Sequence, residues 1–168
     1  MSAVGWVWPA TQAGRAAFLL IAALVILAAV WILQGLGYAP CELCFTERYA
    51  FYANAPLALM AAYIASRGAH GIARGVFVLV ALVFLVNAGL AFYHVGVEEH
   101  WWPGPSACTG ALNAPVDVKD LAQALNSSRV VRCDEAALRI LGVSLAGWDA
   151  VASAALALYA ALAARLKR

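Results

Sequence analysis

The sequence predicts an all-α membrane protein, a bundle of four transmembrane helices with a long external loop between the third and fourth. Of its 168 residues, 65% are hydrophobic and 12% are charged, and its mean hydropathy is +0.82. This composition is typical of membrane proteins and implies no soluble core. Residues 16–33 include no polar or charged side chain, so this stretch alone is long enough to cross the hydrocarbon layer.

Four membrane spans are predicted, and they form a single integral membrane domain over residues 1–168. The spans lie at about residues 16–36, 45–64, 75–93 and 145–162. They leave two external segments, 37–44 and 94–144. The second and fourth spans are less apolar, because they carry Asn54, Asp149 and Ser153. Polar groups in hydrocarbon must find partners, so we expect these side chains to face other helices.

The charged residues predict the orientation of the bundle. One side carries only bases: Arg15, Arg67, Arg74, Arg165, Lys167 and Arg168. The other side carries all nine acidic residues and the remaining five bases. Because basic ends stay in the cytoplasm, both termini are predicted to be cytoplasmic. All four cysteines then lie outside, in the compartment of a bacterium where disulfides form and persist.

A Cys-X-X-Cys motif at Cys41 and Cys44 lies between the first two spans. Such a pair can be oxidised and reduced without refolding of the chain, and its thiolate carries the chemistry. A helix is predicted from about Leu43 onward. It places the pair in a first turn, where unpaired N–H groups and the helix dipole stabilise a thiolate. Arg48 follows Cys44 by four residues, so its charge shares a helix face with that sulfur.

The second pair of cysteines, Cys108 and Cys133, belongs to the long loop. Four cysteines permit three connectivities, and spacing suggests Cys41 with Cys44 and Cys108 with Cys133. The loop disulfide would stabilise the chain by about 3 to 4 kcal/mol if the loop is otherwise free. One alternative is a purely structural staple, and another is a zinc site of four thiolates. Only one half of the set has short ligand spacing, and an oxidising compartment disfavours persistent thiolates.

The rest of the long loop contains two helix-like patterns and one histidine of interest. Residues 118–125 have apolar side chains at i, i+3, i+4 and i+7, which predicts a short helix on the membrane plane or on top of the bundle. A second short helix is predicted after Cys133, with Asp134 as its cap and an i,i+4 pair of Glu135 with Arg139. Its apolar face would consist of Ala137, Ile140 and Leu141. His94, where the loop begins, is a candidate ligand or base, although a histidine there most often hydrogen-bonds at the interface.

Several segments together resemble the disulfide bond formation protein B (DsbB) family of bacterial membrane thiol oxidases. The resemblance begins with the Cys-X-X-Cys motif followed by Glu47 and Arg48, between two spans, with a second cysteine pair in the loop. Further similar segments are residues 93–98, 104–108, 133–135 and 141–148. The similarity covers most of the chain and is least at residues 113–132.

The resemblance implies a relay of thiol exchange in the bacterial inner membrane, with its redox sites facing the periplasm. A periplasmic DsbA-like protein with a thioredoxin fold would attack the Cys108–Cys133 disulfide and bind at Cys108. Cys133 would then attack Cys41, and Cys44 would pass the electrons to a membrane quinone, either ubiquinone or menaquinone.

The resemblance also implies a quinone site, for which Arg48 and Cys44 are the candidates and His94 is a further one. The arginine charge would stabilise a quinone oxygen that becomes anionic. Membrane lipid is the expected surrounding, and neither a metal nor a nucleic acid is expected to bind. The alternative function is a non-catalytic membrane protein whose cysteines form structural disulfides or a metal site.

Overall fold

The computed structural model describes residues 9–105, 108 and 131–166. Within them the chain forms four α-helices and one short antiparallel hairpin. The helices are α1 Gln12–Gly35, α2 Glu42–Ser66, α3 His70–Glu98 and α4 Leu145–Arg165, and the strands are β1 Arg139–Ile140 and β2 Val143–Ser144. The all-α membrane bundle predicted from the sequence is confirmed.

Three of the helices, α1, α3 and α4, are long enough and apolar enough to cross a membrane. Helix α2 has a similar length of 25 residues, but its buried residues include Glu47, Arg48 and Asn54. These polar side chains explain why the corresponding predicted span is less apolar. Helix α2 also continues through Pro56 without a break.

The starts of three helices are fixed by side chains that accept a hydrogen bond from a backbone N–H. Thr11 caps α1, Cys41 caps α2 and Ser144 caps α4. Each acceptor satisfies one of the N–H groups that a helix leaves unpaired in its first turn. The cap of α2 is unusual because its acceptor is a sulfur, and this places Cys41 at the helix start.

Neighbouring helices in the chain are also neighbours in the bundle. Helix α2 lies between α1 and α3, and α4 packs along α3. The core combines large side chains, Phe77 and Phe84, with alanines at the crossings: Ala16, Ala23, Ala58, Ala61 and Ala160. Small residues let helices approach closely in a membrane, where packing rather than water exclusion holds them together.

Polar side chains of two spans meet between α3 and α4. The Asn87 amide donates to Asp149 Oδ2 at 3.0 Å and to Ser153 Oγ at 2.9 Å, and Ser153 Oγ donates to Asp149 Oδ1 at 3.2 Å. Asp149 and Ser153 of α4 therefore both have a hydrogen-bond partner on the facing helix α3, as the sequence predicted. Asn54 is also buried, at 1% exposure, yet its amide has no hydrogen-bond partner among the described residues.

The region after Cys133 differs from the prediction. In place of a second short helix, β1 and β2 pair antiparallel around a two-residue turn, with Ile140 opposite Val143. The turn residues Leu141 and Gly142 have φ of +55° and +83°, the left-handed backbone that a type I′ hairpin requires and an α-helix excludes. The helix predicted at residues 118–125 lies outside the described residues.

The ion pairs of this region also differ from the prediction. Arg139 does not pair with Glu135 but donates to Glu99 at 2.8 Å, which ties the hairpin to the end of α3. Asp134 receives two hydrogen bonds from Arg132, and these hold its pKa below the usual range. Because the chain bends here and forms no helix, Glu135 and Arg139 are not held one helical turn apart, as an i,i+4 pair requires.

Helix α3 extends further than the predicted third span. The span was predicted to end at Tyr93, whereas the helix ends at Glu98. The additional turn carries His94 and Glu98, and both are buried. Trp102 folds back over this turn, donating from Nε1 to the Tyr93 carbonyl at 2.8 Å and lying directly over Gly96. A side chain at Gly96 would collide with the Trp102 ring.

Candidate thiol redox site

Cys41 and Cys44 are both free thiols, at the start of α2. Cys41 Sγ accepts a hydrogen bond from the Cys44 backbone N–H at 3.2 Å and is 4% exposed. The hydrogen bond from the Cys44 thiol lowers the pKa of Cys41, and the backbone bond adds to this effect although burial opposes it. The expected thiolate stabilisation at a helix start therefore acts on Cys41 in the reduced pair.

A histidine and a carboxylate lie in line behind Cys41. His94 Nε2 is 3.5 Å from Cys41 Sγ, and His94 Nδ1 is 2.7 Å from Glu47 Oε1. His94 and Glu47 are 2% and 6% exposed. If Glu47 accepts at this contact, Nδ1 carries the hydrogen, and Nε2 of a neutral ring would then offer an acceptor to the sulfur. This arrangement can take a proton from Cys41.

Sequence reasoning assigned no role to Glu47, which entered only as part of the resemblance. The signal that could have found it is its position. It lies three residues after Cys44, on the same helical face, and is an ionisable residue in a predicted membrane span. Its partner, His94, is 47 residues away in the chain, so no local pattern connects the two.

The loop cysteines form the disulfide that spacing suggested. Cys108 and Cys133 are bonded, with their Cα atoms 5.1 Å apart. Each is 1% exposed, and both pack in one buried cluster with Cys41, Leu43 and Val97. The fold therefore brings the two cysteine pairs together at one end of the bundle, which we call the cysteine end.

Arg48 lies one turn beyond Cys44 and is 8% exposed. Its Nη1 donates to Gln34 Oε1 of α1 at 2.8 Å. Its guanidinium carbon is 5.2 Å from the centroid of the Phe45 ring and 5.9 Å from that of Trp31. Among the described residues no carboxylate forms an ion pair with it. Arg48 is thus a buried cation held by an amide and aromatic faces, and its charge is not neutralised by an acid.

A cavity of about 450 Å³ lies beside this arginine, between α1, α2 and α4. Its wall is mostly apolar, and the polar residues in it include Cys44, Glu47, Arg48 and Asp149. Ile140 of the hairpin and Trp148 of α4 also contribute to the wall. A mostly apolar cavity of this volume with a few convergent polar groups is typical of a site for a small organic molecule.

The cavity divides the predicted site residues into two groups. Cys44 and Arg48 line it together. Cys41 and His94 do not line it; they contact each other on the side of the loop disulfide. His94 was predicted as a further residue for a cofactor, and in the structure its Nε2 faces Cys41 Sγ.

The lining of the cavity is chemically suited to the quinone that the resemblance implies. A quinone combines a flat ring, two carbonyl oxygens and an apolar tail. Leu27, Val30 and Leu33 of α1 offer an apolar wall for the tail, and Arg48 offers a donor for an oxygen. Cys44 supplies a sulfur to the same space.

Comparison with known proteins places the chain in a family. Residues 12–163 match the family described as Disulfide bond formation protein DsbB. The chain is 35% identical over 144 residues to Disulfide bond formation protein B 1 of Pseudomonas fluorescens, with 80% of each chain covered. It is 34% identical over 157 residues to Disulfide bond formation protein B of Xanthomonas campestris pv. campestris, with 87% of each covered. No solved structure gives a significant match.

Proposed function

Since the chain belongs to the disulfide bond formation protein B family, we propose that it is a quinone-dependent thiol oxidase of the bacterial inner membrane. Its substrate is the reduced form of a periplasmic DsbA-like protein with a thioredoxin fold. One observation carries the proposal: both cysteine pairs pack in one buried cluster, and Cys44 opens from it into an apolar cavity beside a buried arginine.

The thiol steps begin at the loop disulfide. A thiolate of the partner attacks Cys108 Sγ, the Cys108–Cys133 bond breaks, and Cys133 leaves as a thiolate. Cys133 then attacks Cys41 of the oxidised Cys41–Cys44 pair and releases Cys44 as a thiolate. The second thiol of the partner displaces Cys108, so the partner leaves oxidised. Cys108 finally attacks Cys133, which restores the loop disulfide and leaves Cys41 and Cys44 reduced.

The fates of the two sulfurs in the reduced pair follow from their surroundings. Cys41 packs against the loop disulfide, which suits exchange with Cys133, whereas Cys44 lines the cavity. A quinone bound in that cavity would supply an acceptor for the two electrons and two protons of the dithiol. Cys44 and Arg48 would hold its ring end, and the apolar residues of α1 would hold its tail.

His94, supported by Glu47, accepts the proton that Cys41 must lose. His94 Nε2 is within 3.5 Å of the sulfur, and Glu47 bonds to Nδ1 at 2.7 Å. When the ring takes the thiol proton, the adjacent carboxylate stabilises the imidazolium in a site where water does not compete. His94 thereby assists the thiolate at Cys41, and we assign it this task in place of quinone contact.

Burial of the loop disulfide has a consequence for the partner. Both sulfurs belong to residues that are 1% exposed. An attacking thiolate must approach in line with the breaking bond, so Cys108 has to become accessible when the partner docks.

The test of the proposed function is oxidation of a reduced DsbA-like protein by the purified chain with added ubiquinone or menaquinone. We expect turnover that depends on the quinone and is lost in Cys44→Ala. A protein that oxidises its partner at the same rate without quinone, or only once per chain with it, would contradict the proposal and favour a structural role for the cysteines.

A second experiment tests the order of the relay. Cys133→Ala removes the thiol that continues the exchange, so the partner should stay bound to Cys108 as a mixed disulfide visible on a non-reducing gel. A partner that lacks its own second thiol makes the adduct permanent. Adding Cys108→Ala should abolish the adduct, and an equal yield without Cys108 would show that another sulfur receives the partner.

The structure bears on the alternative of a site with four thiolates. Cys108 and Cys133 are joined in a disulfide, so such a site would require that bond to be reduced first. Cys41 and Cys44 remain free, and among the described residues the metal-ligating group that converges on them is His94.

A further inference from the structure

Three potential metal ligands converge at the cysteine end. Cys41 Sγ, Cys44 Sγ and one ring nitrogen of His94 lie within 4.8 Å of one another. Cys41 and His94 are buried, and Cys44 is half-buried. The three come from two helices, because the motif starts α2 and the histidine belongs to the last turns of α3.

The contact between Cys41 and His94 has the length expected in a tetrahedral zinc site, and all three ligand atoms lie within 4.8 Å of one another. Zinc binds cysteine sulfur at about 2.3 Å and histidine nitrogen at about 2.0 to 2.1 Å, so a tetrahedral angle separates sulfur and nitrogen by about 3.6 Å. The observed distance from Cys41 Sγ to His94 Nε2 is 3.5 Å. The two sulfurs of such a site are separated by about 3.8 Å. The sulfurs of Cys41 and Cys44 lie within 4.8 Å of each other, which is compatible with that separation.

The histidine is oriented as a ligand would be. Metal-binding histidines usually donate their other ring N–H to a carboxylate, which fixes the tautomer and makes the free nitrogen more basic. His94 has this arrangement, since Nδ1 is paired with Glu47 at 2.7 Å and Nε2 faces the sulfur. Both side chains are more than nine-tenths buried, so the orientation is held by packing.

We propose that the reduced protein binds one Zn²⁺ through Cys41 Sγ, Cys44 Sγ and His94 Nε2, with water in the fourth position. Binding displaces the two thiol protons and changes no oxidation state. When Cys41 and Cys44 join in a disulfide, two of the three ligands are lost. The site is therefore open only in the dithiol state, and metal binding and oxidation of the pair exclude each other.

The metal site itself does not depend on the proposed function, but its consequence does. If the pair is the relay between the loop disulfide and a quinone, bound Zn²⁺ holds it reduced and stops turnover. Zinc would then act as a competitive inhibitor of oxidation at the step after partner exchange.

The site can be tested without partner or quinone. A full-length protein with Cys108→Ser and Cys133→Ser retains Cys41 and Cys44 as its only cysteines, and Co²⁺ replaces Zn²⁺ as a coloured probe. We expect the reduced protein to bind one Co²⁺ per chain with a sulfur-to-cobalt charge-transfer band that Zn²⁺ abolishes. After oxidation of Cys41 and Cys44 to the disulfide, the band should be absent.

Variants identify the ligands. His94→Ala should weaken binding at least about 100-fold, and Glu47→Gln should weaken it about 10- to 100-fold, as is usual for a residue that orients a ligand. His100→Ala is the matched control, because it removes an exposed histidine near the same end and should change nothing. Helical circular dichroism verifies that each variant is folded, and Cys44→Ser provides an independent loss of a ligand.

Two outcomes would overturn the proposal. One is cobalt binding of equal strength in the reduced and oxidised proteins, which would place the metal elsewhere. The other is unchanged binding in both His94→Ala and Cys44→Ser. Neither outcome bears on quinone-dependent turnover, so the metal site and the thiol oxidase stand or fall separately.

Discussion

At the scale of single residues, the two sulfurs of the motif differ although only two positions separate them. Cys41 is a buried helix cap with a histidine behind it, and Cys44 faces a cavity. A helix start explains the difference, because the cap residue precedes the helix while Cys44 projects from its first turn. The motif therefore places one sulfur beside the loop disulfide and the other in the wall of the cavity.

The first prediction concerns Arg48. Arg48→Ala leaves all cysteines in place and removes the buried positive charge beside the cavity. Because a hydrogen bond to a charged group contributes about 1.5 to 3 kcal/mol, quinone affinity or the rate of quinone reduction should fall by about 10- to 100-fold. Exchange between the two cysteine pairs, measured in a quinone-free preparation, should change far less.

Arg132→Ala is the control for this substitution, since Arg132 is an exposed arginine that pairs with Asp134. It should leave quinone kinetics unchanged. Normal quinone kinetics in Arg48→Ala, or equal slowing in both assays, would assign Arg48 a structural task at the contact with α1.

The second prediction concerns the pH dependence of Cys41. The hydrogen bond from the Cys44 thiol lowers the pKa of Cys41, so the thiolate should persist to lower pH than that of an ordinary cysteine. Cys44→Ala removes that donor while burial remains, and the pKa should rise. The alkylation rate of Cys41 against pH, read by mass spectrometry, should therefore reach its midpoint at higher pH in the variant.

Cys44→Ser is the matched control, because its hydroxyl can still donate to the sulfur. Its midpoint should lie nearer to that of the unmodified protein. A midpoint that does not move in Cys44→Ala would mean that the helix start alone, through its backbone N–H, sets the acidity of Cys41.

At the scale of secondary-structure elements, α3 and α4 are joined by hydrogen bonds among Asn87, Asp149 and Ser153. The third prediction is that Asn87→Ala, which removes both bonds from the amide, lowers the free energy of unfolding by about 1 kcal/mol. The measurement is reversible unfolding in mixed micelles of detergent and dodecyl sulfate.

Asn54 offers a comparison within the same bundle. It is as buried as Asn87, but its amide has no hydrogen-bond partner among the described residues. Asn54→Leu should therefore be neutral or stabilising, because it removes a desolvated polar group without breaking a bond. Equal destabilisation by both substitutions would indicate that volume at the helix contacts, and not hydrogen bonding, decides the stability.

At the scale of the whole molecule, the cysteine end collects the start of α2, the end of α3, the hairpin and the loop disulfide. The distribution of charged residues predicts that this end faces the periplasm. Leu141 at the hairpin turn is 90% exposed and marks this end, and Arg67 between α2 and α3 marks the other.

The fourth prediction uses these two markers. In a cysteine-free variant, Leu141→Cys should react with a membrane-impermeant maleimide in intact spheroplasts. Arg67→Cys should react only after the membrane is permeabilised. The reverse pattern would invert the orientation and remove the argument that the cysteines lie in an oxidising compartment.

The sequence by itself determined the class of the protein, its four helices and the Cys-X-X-Cys motif, and spacing suggested the loop disulfide that joins Cys108 and Cys133. These follow from local properties. Hydropathy over about 20 residues is enough to define a membrane span, and two cysteines close in the chain are necessarily close in space. The turn at Leu141 and Gly142 was missed because apolar residues and a nearby charge pair imitate a helix when the left-handed backbone is not considered.

Only the tertiary structure decided which groups surround each sulfur. His94 meets Cys41 across 53 residues of chain, Glu47 meets His94 across 47, and the cavity joins residues of α1, α2 and α4. Periodicity identifies which face of a helix is buried but not which neighbour covers it. That choice depends on how small residues let particular helices approach, so the contact of His94 with Cys41 and the walls around Cys44 emerge from packing alone.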